Sequence, residues 1–282
     1  MRIRLSVTAW GSGVEDFESI CVPSIAQSGN VPWLAGNGFA AVCTVYTSAE
    51  DAGRIREISR RLPAGCEAAV EIVDWAAGSA PFTPSGDWLA AECRAGVAET
   101  SAVLLLGAGA FVGNGTLRNL ATYCRKPGVA TFGTYLCVER ERLLASLRKH
   151  EADFAGEPLS NAQLVDVGLR SGADPGSGWL PLDESLSGWT TRRFVPLMFW
   201  PDESDVAFFV RHAAQPAELL DALWQAKLVA ERRWRLFAST DLAFLLAAQP
   251  VGPASDRDDE VSGREFLQQT CYVAVRREPS TR

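Results

Sequence analysis

The sequence predicts an α/β protein: a mainly parallel sheet with helices on both faces, followed by an elaborated C-terminal half. Three observations carry this. Short runs rich in Val, Ile, Leu and Ala recur through the first half without strict polar alternation, the pattern of strands buried on both faces. Segments of helical period separate those runs, as in successive β-α-β units with right-handed crossovers. Finally, 282 residues at 47% hydrophobic and 22% charged content suit one large core.

In chain order, residues 2–9 (RIRLSVTA) read as a buried strand that opens into the glycine turn Trp10-Gly11-Ser12-Gly13. A helix over about 14–27 follows, broken or shortened by Pro23 and by the Pro32-Trp33 segment. Residues 39–46 form a second strand, and Thr47-Ser48-Ala49-Glu50 is expected to cap a helix running to about Arg61. The alternation continues with strand 67–74, helix 86–98, strand 102–106, helix 115–124, strand 129–137 and helix 138–149.

Residues 171–190, rich in Gly, Ser, Pro and Asp, read as a long loop. The apolar run FVPLMFW comes next. A helix is expected over 216–237, and Arg232-Arg233-Trp234-Arg235 reads as its solvated basic face. A charged loop, a helix and a short strand close the chain. Residues 1–150 are read as a nucleotide-binding layer and 151–282 as the acceptor-side half of the same domain.

Composition narrows the function. A net charge of −7 disfavours nucleic acid as a partner, because phosphate binding needs clustered Lys and Arg. No apolar run approaches the length of a membrane span, and no export signal opens the sequence. Seven cysteines, an odd number without a C-x-x-C pair, read as free thiols of a cytoplasmic protein. The two histidines, His150 and His212, are too few for a multi-histidine metal centre, and no G-x-S-x-G elbow supports a serine triad.

In a parallel sheet of this kind ligands sit beyond the carboxyl ends of the strands. That nominates Thr8, Ala9, Trp10, Tyr46 and Thr47, and the glycine-rich segment from Gly107 through Gly113, Asn114 and Gly115, as the neighbourhood of a nucleotide. The segment follows an apolar strand and precedes a helix, where free N–H groups can meet phosphate. It does not spell the G-x-G-x-x-G of a Rossmann-like dinucleotide site.

The ordered set Trp10-Gly11 with Phe17, VPSIAQSGNVPWLA, VYTSAEDAGRI, GNGTLRNLA, VPLMFWP and Ser239-Thr240-Asp241 resembles bacterial glycosyltransferase-like proteins of the A-type nucleotide-sugar transferase fold. The resemblance implies a sugar transferred from a nucleotide-sugar donor in biosynthetic metabolism. Such proteins carry an acidic residue and then S-D-G after the fourth strand, where carboxylates hold a divalent cation. Here Gly109 and Gly113-Asn114-Gly115 stand in those places, and Arg193-Phe194-Val195-Pro196 replaces an H-x-H-P pattern.

The chain has therefore lost the family's metal ligands. The reading is a metal-independent or degenerate transferase with no metal residues, Arg193 neutralising the leaving diphosphate and Asp241 supplying a catalytic carboxylate. Asp74 and Asp87 are further carboxylates that could reach the pocket. Changing Asn114 to Asp is expected to strengthen any metal dependence. The alternative is a relative without catalysis that serves as a binding or partner protein, or one repurposed for another reaction.

Overall fold

The computed structural model describes residues 1–74, 86–123, 128–154, 158–159, 163–164, 167, 179–181, 189–192, 194–215, 217–236, 244–249 and 273–276; side chains are described for part of these. Four parallel strands open the fold: β1 (Arg2–Thr8), β2 (Ala40–Thr47), β3 (Cys66–Ile72) and β4 (Ser101–Gly107). Beyond them come β5 (Ala110–Val112), β6 (Ala130–Glu139), β7 (Trp179–Pro181), β8 (Trp189–Arg192), β9 (Phe194–Phe199), β10 (Trp234–Leu236), β11 (Phe244–Gln249) and β12 (Val273–Arg276).

The main sheet runs β3-β2-β1-β4-β9-β6-β11-β5, with β10 beside β6. Strand β9 lies antiparallel between β4 and β6, and β5 is antiparallel to β11; the other pairings of this sheet are parallel. The expected parallel layer is present, with β9 from the second half of the chain set into its middle. Strands β7, β8 and β12 make a separate antiparallel sheet. This corrects the reading of 171–190 as loop throughout: Trp179–Pro181 and the start of β8 pair as strands, because cross-strand partners override a turn-rich composition.

Helices cover both faces. On one lie α1 (Gly13–Asp16), a π-turn (Phe17–Cys21), α2 (Val22–Ile25), α3 (Val31–Gly36), α4 (Ala52–Ser59) and α6 (Thr116–Tyr123). Their Phe17, Ile25, Leu34, Ile55 and Leu120 pack on Ile3, Leu5, Val7, Cys43, Val45 and Leu104 of the sheet. The opposite face carries α5 (Gly86–Glu99), α8 (Glu203–Arg211) and α9 (Ala217–Ala230), through Trp88, Cys93, Phe209, Trp224 and Leu228. A smaller cluster joins Ile20 and Phe111 to Leu143 of α7 (Arg140–Phe154). Each fully buried Leu, Ile or Phe contributes about 1.5–3 kcal/mol.

Local chemistry explains the boundaries. The interruption expected near Pro23 takes the form of the π-turn. Proline lacks the N–H that an α-helix would use there, and the preceding turn widens so that the Val22 N–H bonds to Phe17 O. Helix α3 ends at Gly36, and the chain turns away at Gly38, whose φ of +77° glycine adopts without penalty. There the Phe39 N–H reaches Leu34 O at 3.0 Å, and the Phe39 ring stacks on Trp33 with centroids 5.8 Å apart.

Helix α9 stops at Ala230, short of the expected 237, because Arg232 takes φ +54° and the chain turns into β10. Arg233, expected on a solvated helix face, instead binds Asp205 at 2.6 Å, Asp202 at 3.0 Å and Gly128 O at 2.6 Å. Two carboxylates and a backbone carbonyl around one guanidinium outweigh helix propensity here. Helix α8 begins in a reciprocal capping box between Asp202 and Asp205.

Candidate functional site at the carboxyl edge of the sheet

Strand β1 pairs with β2 on one side and β4 on the other, all parallel, so Thr8 lies between Tyr46 and Gly107. The chain proceeds from β1 outward to β2 and β3, then returns to β4 on the opposite side of β1. That reversal makes the carboxyl ends of β1 and β4 a topological switch point, the place where open α/β sheets generally take ligands. Thr8, Ala9 and Trp10 of the β1 end meet Tyr46 and Thr47 of the β2 end, with the Ala9 N–H donating to Tyr46 O at 2.9 Å. The sequence-nominated strand ends are thus brought together.

Their side chains face inward. Thr8, Ala9, Trp10, Tyr46 and Thr47 are all buried. The Tyr46 hydroxyl donates to Glu92 Oε1 at 2.7 Å, and burial, reinforced by that carboxylate, pushes its pKa well above the ordinary value. Glu92 also accepts from Arg4 Nε at 3.2 Å, while Trp88 Nε1 donates to Ser6 Oγ at 2.8 Å. Burial alone would lower the Arg4 pKa, but hydrogen bonds and charge from Glu92 and Glu99 raise it. A charge inside the core requires such a partner, so Arg4 in the apolar run of β1 was the sequence signal for Glu92.

What stays open at this edge is backbone. Gly11 and Ser12 are exposed, and a Cβ on Gly11 would meet nothing within 4 Å. The loop is braced by Asp51, whose Oδ2 accepts from the Gly11 N–H at 2.7 Å and from Ser48 Oγ at 2.9 Å. Ser48 in turn accepts from the Asp51 N–H at 3.2 Å. This corrects the expected cap: α4 begins at Ala52, and the Ser48–Asp51 pair ties its start to the β1 loop. Sequence reasoning passed over Asp51, although a serine three residues before it is a local turn signal.

The Gly113-Asn114-Gly115 turn has protein partners. Asn114 Oδ1 accepts from the Gly29 N–H at 2.8 Å, and a Cβ on Gly29 would come within 2.6 Å of that oxygen. Asn30, fully buried, answers from the other side. Its Oδ1 accepts from the Leu117 N–H at 3.1 Å, and its Nδ2 donates to Ser24 O at 2.9 Å and Val112 O at 3.3 Å. Asn30 thus fills an acceptor position at the start of α6 that an anion would use. The two asparagines clasp the α2–α3 loop to the α6 turn, and the Gly29-Asn30 pair was the part that sequence reasoning missed.

Arg193 and Asp241 lie outside the described residues, whereas Asp74, two residues beyond β3, and Asp87, in the first turn of α5, are both exposed. Phe194, Val195 and Pro196 sit in β9 against Thr134, Gly133 and Phe132. The β4 end continues through Gly107, Ala108 and Gly109, so no carboxylate stands there. Among the described residues no group of three or more His, Cys, Asp or Glu side chains converges to hold a metal ion.

No family model matches the chain, and no curated protein matches it. Solved structures do. The inositol-1-phosphate CTP transferase from T. maritima is similar over 95% of this chain and 96% of its own, at 10% identity and TM-score 0.45. Mouse xyloside xylosyltransferase 1 is similar over 95% and 93%, at 10% identity and TM-score 0.39. The mannosyltransferase Ktr4p from S. cerevisiae is similar over 95% and 79%, at 11% identity and TM-score 0.39.

Cys21, Cys43, Cys66 and Cys93 are free. Burial pushes the thiol of Cys21 up to about 12 and that of Cys66 up to about 11. Both are poor nucleophiles at neutral pH. Among the described residues no helix is long and apolar enough to cross a membrane.

Proposed function

We propose that the chain binds a nucleotide sugar at the carboxyl ends of β1 and β4 and acts as a glycosyltransferase-like protein without a resident divalent metal. The observation that supports this most is the switch point itself: parallel β1 and β4 side by side, with an open Gly11-Ser12 loop braced by Asp51 on one flank and Gly107-Ala108-Gly109 on the other. Backbone N–H groups in glycine turns can approach a phosphate closely, and they supply partial charge without a cation.

In this reading Thr8, Ala9, Trp10, Tyr46 and Thr47 shape the floor of the nucleotide pocket from within the core. Gly113, Asn114 and Gly115 fix its far wall through the clasp to Gly29 and Asn30. Arg193 and Asp241 remain the proposed catalytic pair: a guanidinium offers bidentate bonds to the leaving diphosphate, and a carboxylate can take a proton from an attacking hydroxyl. Residues 1–150 carry the donor side and 151–282 the acceptor side.

The second reading, a relative that binds without transfer, is favoured by the loss of acids from the β4 loop. The two separate in one assay. Purified protein is titrated by calorimetry with nucleoside diphosphates and nucleotide sugars, with and without Mn²⁺, and then tested for release of nucleoside diphosphate. Binding with turnover supports the transferase; binding without turnover, or no nucleotide binding at all, rejects it and leaves a binding or partner protein, or a scaffold repurposed for another reaction, as the better account.

A further inference from the structure

The sequence contains the tripeptide Gly-Asn-Gly twice, at Gly36-Asn37-Gly38 and Gly113-Asn114-Gly115. An asparagine followed by glycine has the local chemistry for self-modification. The next backbone nitrogen, unhindered by a side chain, can attack the side-chain carbonyl carbon. Because the immediate neighbours are the same in both tripeptides, any difference between the two sites comes from the fold.

We propose that Asn37 is a site of spontaneous deamidation and that Asn114 is protected from it by the clasp. Asn37 is exposed at the end of α3, a helix of six residues that frays readily. Its Nδ2 donates to Trp33 O at 2.8 Å, and the Gly38 N–H is held only at 3.5 Å by Ala35 O. A Cβ on Gly38 would meet nothing within 4 Å, so no neighbouring segment packs against the Gly38 Cα and holds the turn in place. Asn37 rests at ψ 19°, and attack follows when the last turn loosens and lets Gly38 N swing onto Cγ.

At the second site Gly115 is buried, and Asn114 Oδ1 is fixed by the Gly29 N–H at 2.8 Å. Gly115 N and Gly115 Cα lie against Gly29, where a Cβ would come within 2.7 Å and 2.9 Å of them. The backbone rotation that attack requires would drive these atoms into the α2–α3 loop. Opening this site means breaking the clasp.

The step balances without an external reagent other than water. Gly38 N bonds to Asn37 Cγ, the Cγ–Nδ2 bond breaks, and ammonia leaves with the proton from the backbone amide. Water then opens the five-membered imide at either carbonyl, giving aspartate or isoaspartate. The product places a negative charge at the C-terminal end of α3, against the helix dipole, and replaces the donor to Trp33 O with an acceptor. The modified end of α3 should therefore hold the Trp33–Phe39 stack less firmly.

The test uses the whole folded protein, aged at mildly alkaline pH and mapped by peptide mass spectrometry for the gain of ~1 Da that marks amide loss. Asn37 should convert about tenfold or more faster than Asn114, since tenfold corresponds to only ~1.4 kcal/mol of extra local opening. In denaturant the two sites should convert at similar rates. Asn30→Ala, which breaks the clasp, should raise conversion at Asn114 and leave Asn37 unchanged. Equal rates in the folded protein, faster conversion at Asn114, or an intact Asn37 over a period in which the denatured chain has largely converted would each overturn the proposal.

Discussion

Replacing Asn30 by alanine should be among the most damaging single changes in the chain, although Asn30 lies in a short connection between two helices. The side chain is fully buried and makes three hydrogen bonds, to Leu117 N–H, Ser24 O and Val112 O. Each such bond is worth about 1 kcal/mol net, and leaving a buried partner unsatisfied costs about 1–3 kcal/mol. The total loss is therefore about 3–5 kcal/mol. At about 2–4 °C per kcal/mol for a domain of this size, the thermal midpoint should fall by roughly 10 °C. Urea unfolding followed by circular dichroism measures the free-energy loss, and a thermal melt measures the midpoint. Asn30→Asp gives a second signature. It keeps the acceptor for Leu117 but turns an oxygen toward two carbonyls, which raises the carboxyl pKa in the folded state. Its stability is then retained at low pH, where the group is protonated, and lost as pH rises through the folded pKa. A loss below about 1 kcal/mol in Asn30→Ala would refute the clasp as a structural element.

Further expectations concern the clasp, the buried Tyr46–Glu92 pair and the acid limb of stability. Asn114→Ala should cost about 1–2 kcal/mol by orphaning the Gly29 N–H. Asn114→Asp should keep that bond and near-native stability, and, against the expectation from sequence, calorimetry with Mn²⁺ should show no gain in metal binding because the oxygen is engaged by the Gly29 N–H. Gly29→Ala should destabilise by about 1–3 kcal/mol in urea, since its Cβ would press on the backbone of Gly115. Tyr46→Phe should leave Glu92 short of a donor and cost about 1–2 kcal/mol while keeping the packed ring. Acid titration should combine two signs. Burial opposes it, yet hydrogen bonds from Ser204 and the charge of Arg233 hold Asp202 below the ordinary carboxylate range, and hydrogen bonds from Arg61 and Arg54 do the same for Glu18. Their contributions are present above the unfolded pKa values and lost as pH falls through the folded ones. Burial raises the Asp16 pKa despite Arg140, so Asp16 favours the fold at low pH and that contribution fades as pH rises. Hence Asp16→Asn should remove this opposing contribution and steepen the loss of stability as pH falls, read by thermal melts across pH.

The strand-helix alternation of the first half was legible because it is written in local signals. Buried parallel strands need apolar runs, and β1 to β4 begin and end within a few residues of their expected limits. The insertion of β9 between β4 and β6 was not legible, since FVPLMFW says that a strand is buried but not which neighbours it finds. The end of α9 was missed for a related reason. Arg233 leaves helical geometry to meet Asp202 and Asp205, carboxylates far away in sequence. At the candidate site, the strand ends that the sequence nominated lie side by side because parallel pairing of β1 with β2 and β4 fixes them there. The clasp was not legible, because the glycines of the Gly113–Gly115 turn look alike whether they hold a phosphate or another loop. Gly29 and Asn30 decide between these, and they become neighbours of the turn only after folding.

The central claim, that a nucleotide sits beyond the carboxyl ends of β1 and β4, is tested most directly by calorimetric titration of nucleoside diphosphates into two proteins, the wild type and Ser12→Trp. Ser12 is exposed beside Gly11 with ordinary helical backbone angles, so a tryptophan there can fold normally and still cover the open backbone beyond the end of β1. The account predicts that the wild type binds at least one nucleotide equally well with and without Mn²⁺, and that Ser12→Trp loses this binding while keeping its thermal midpoint. Absence of binding in the wild type under both conditions, or undiminished binding by Ser12→Trp, would contradict it.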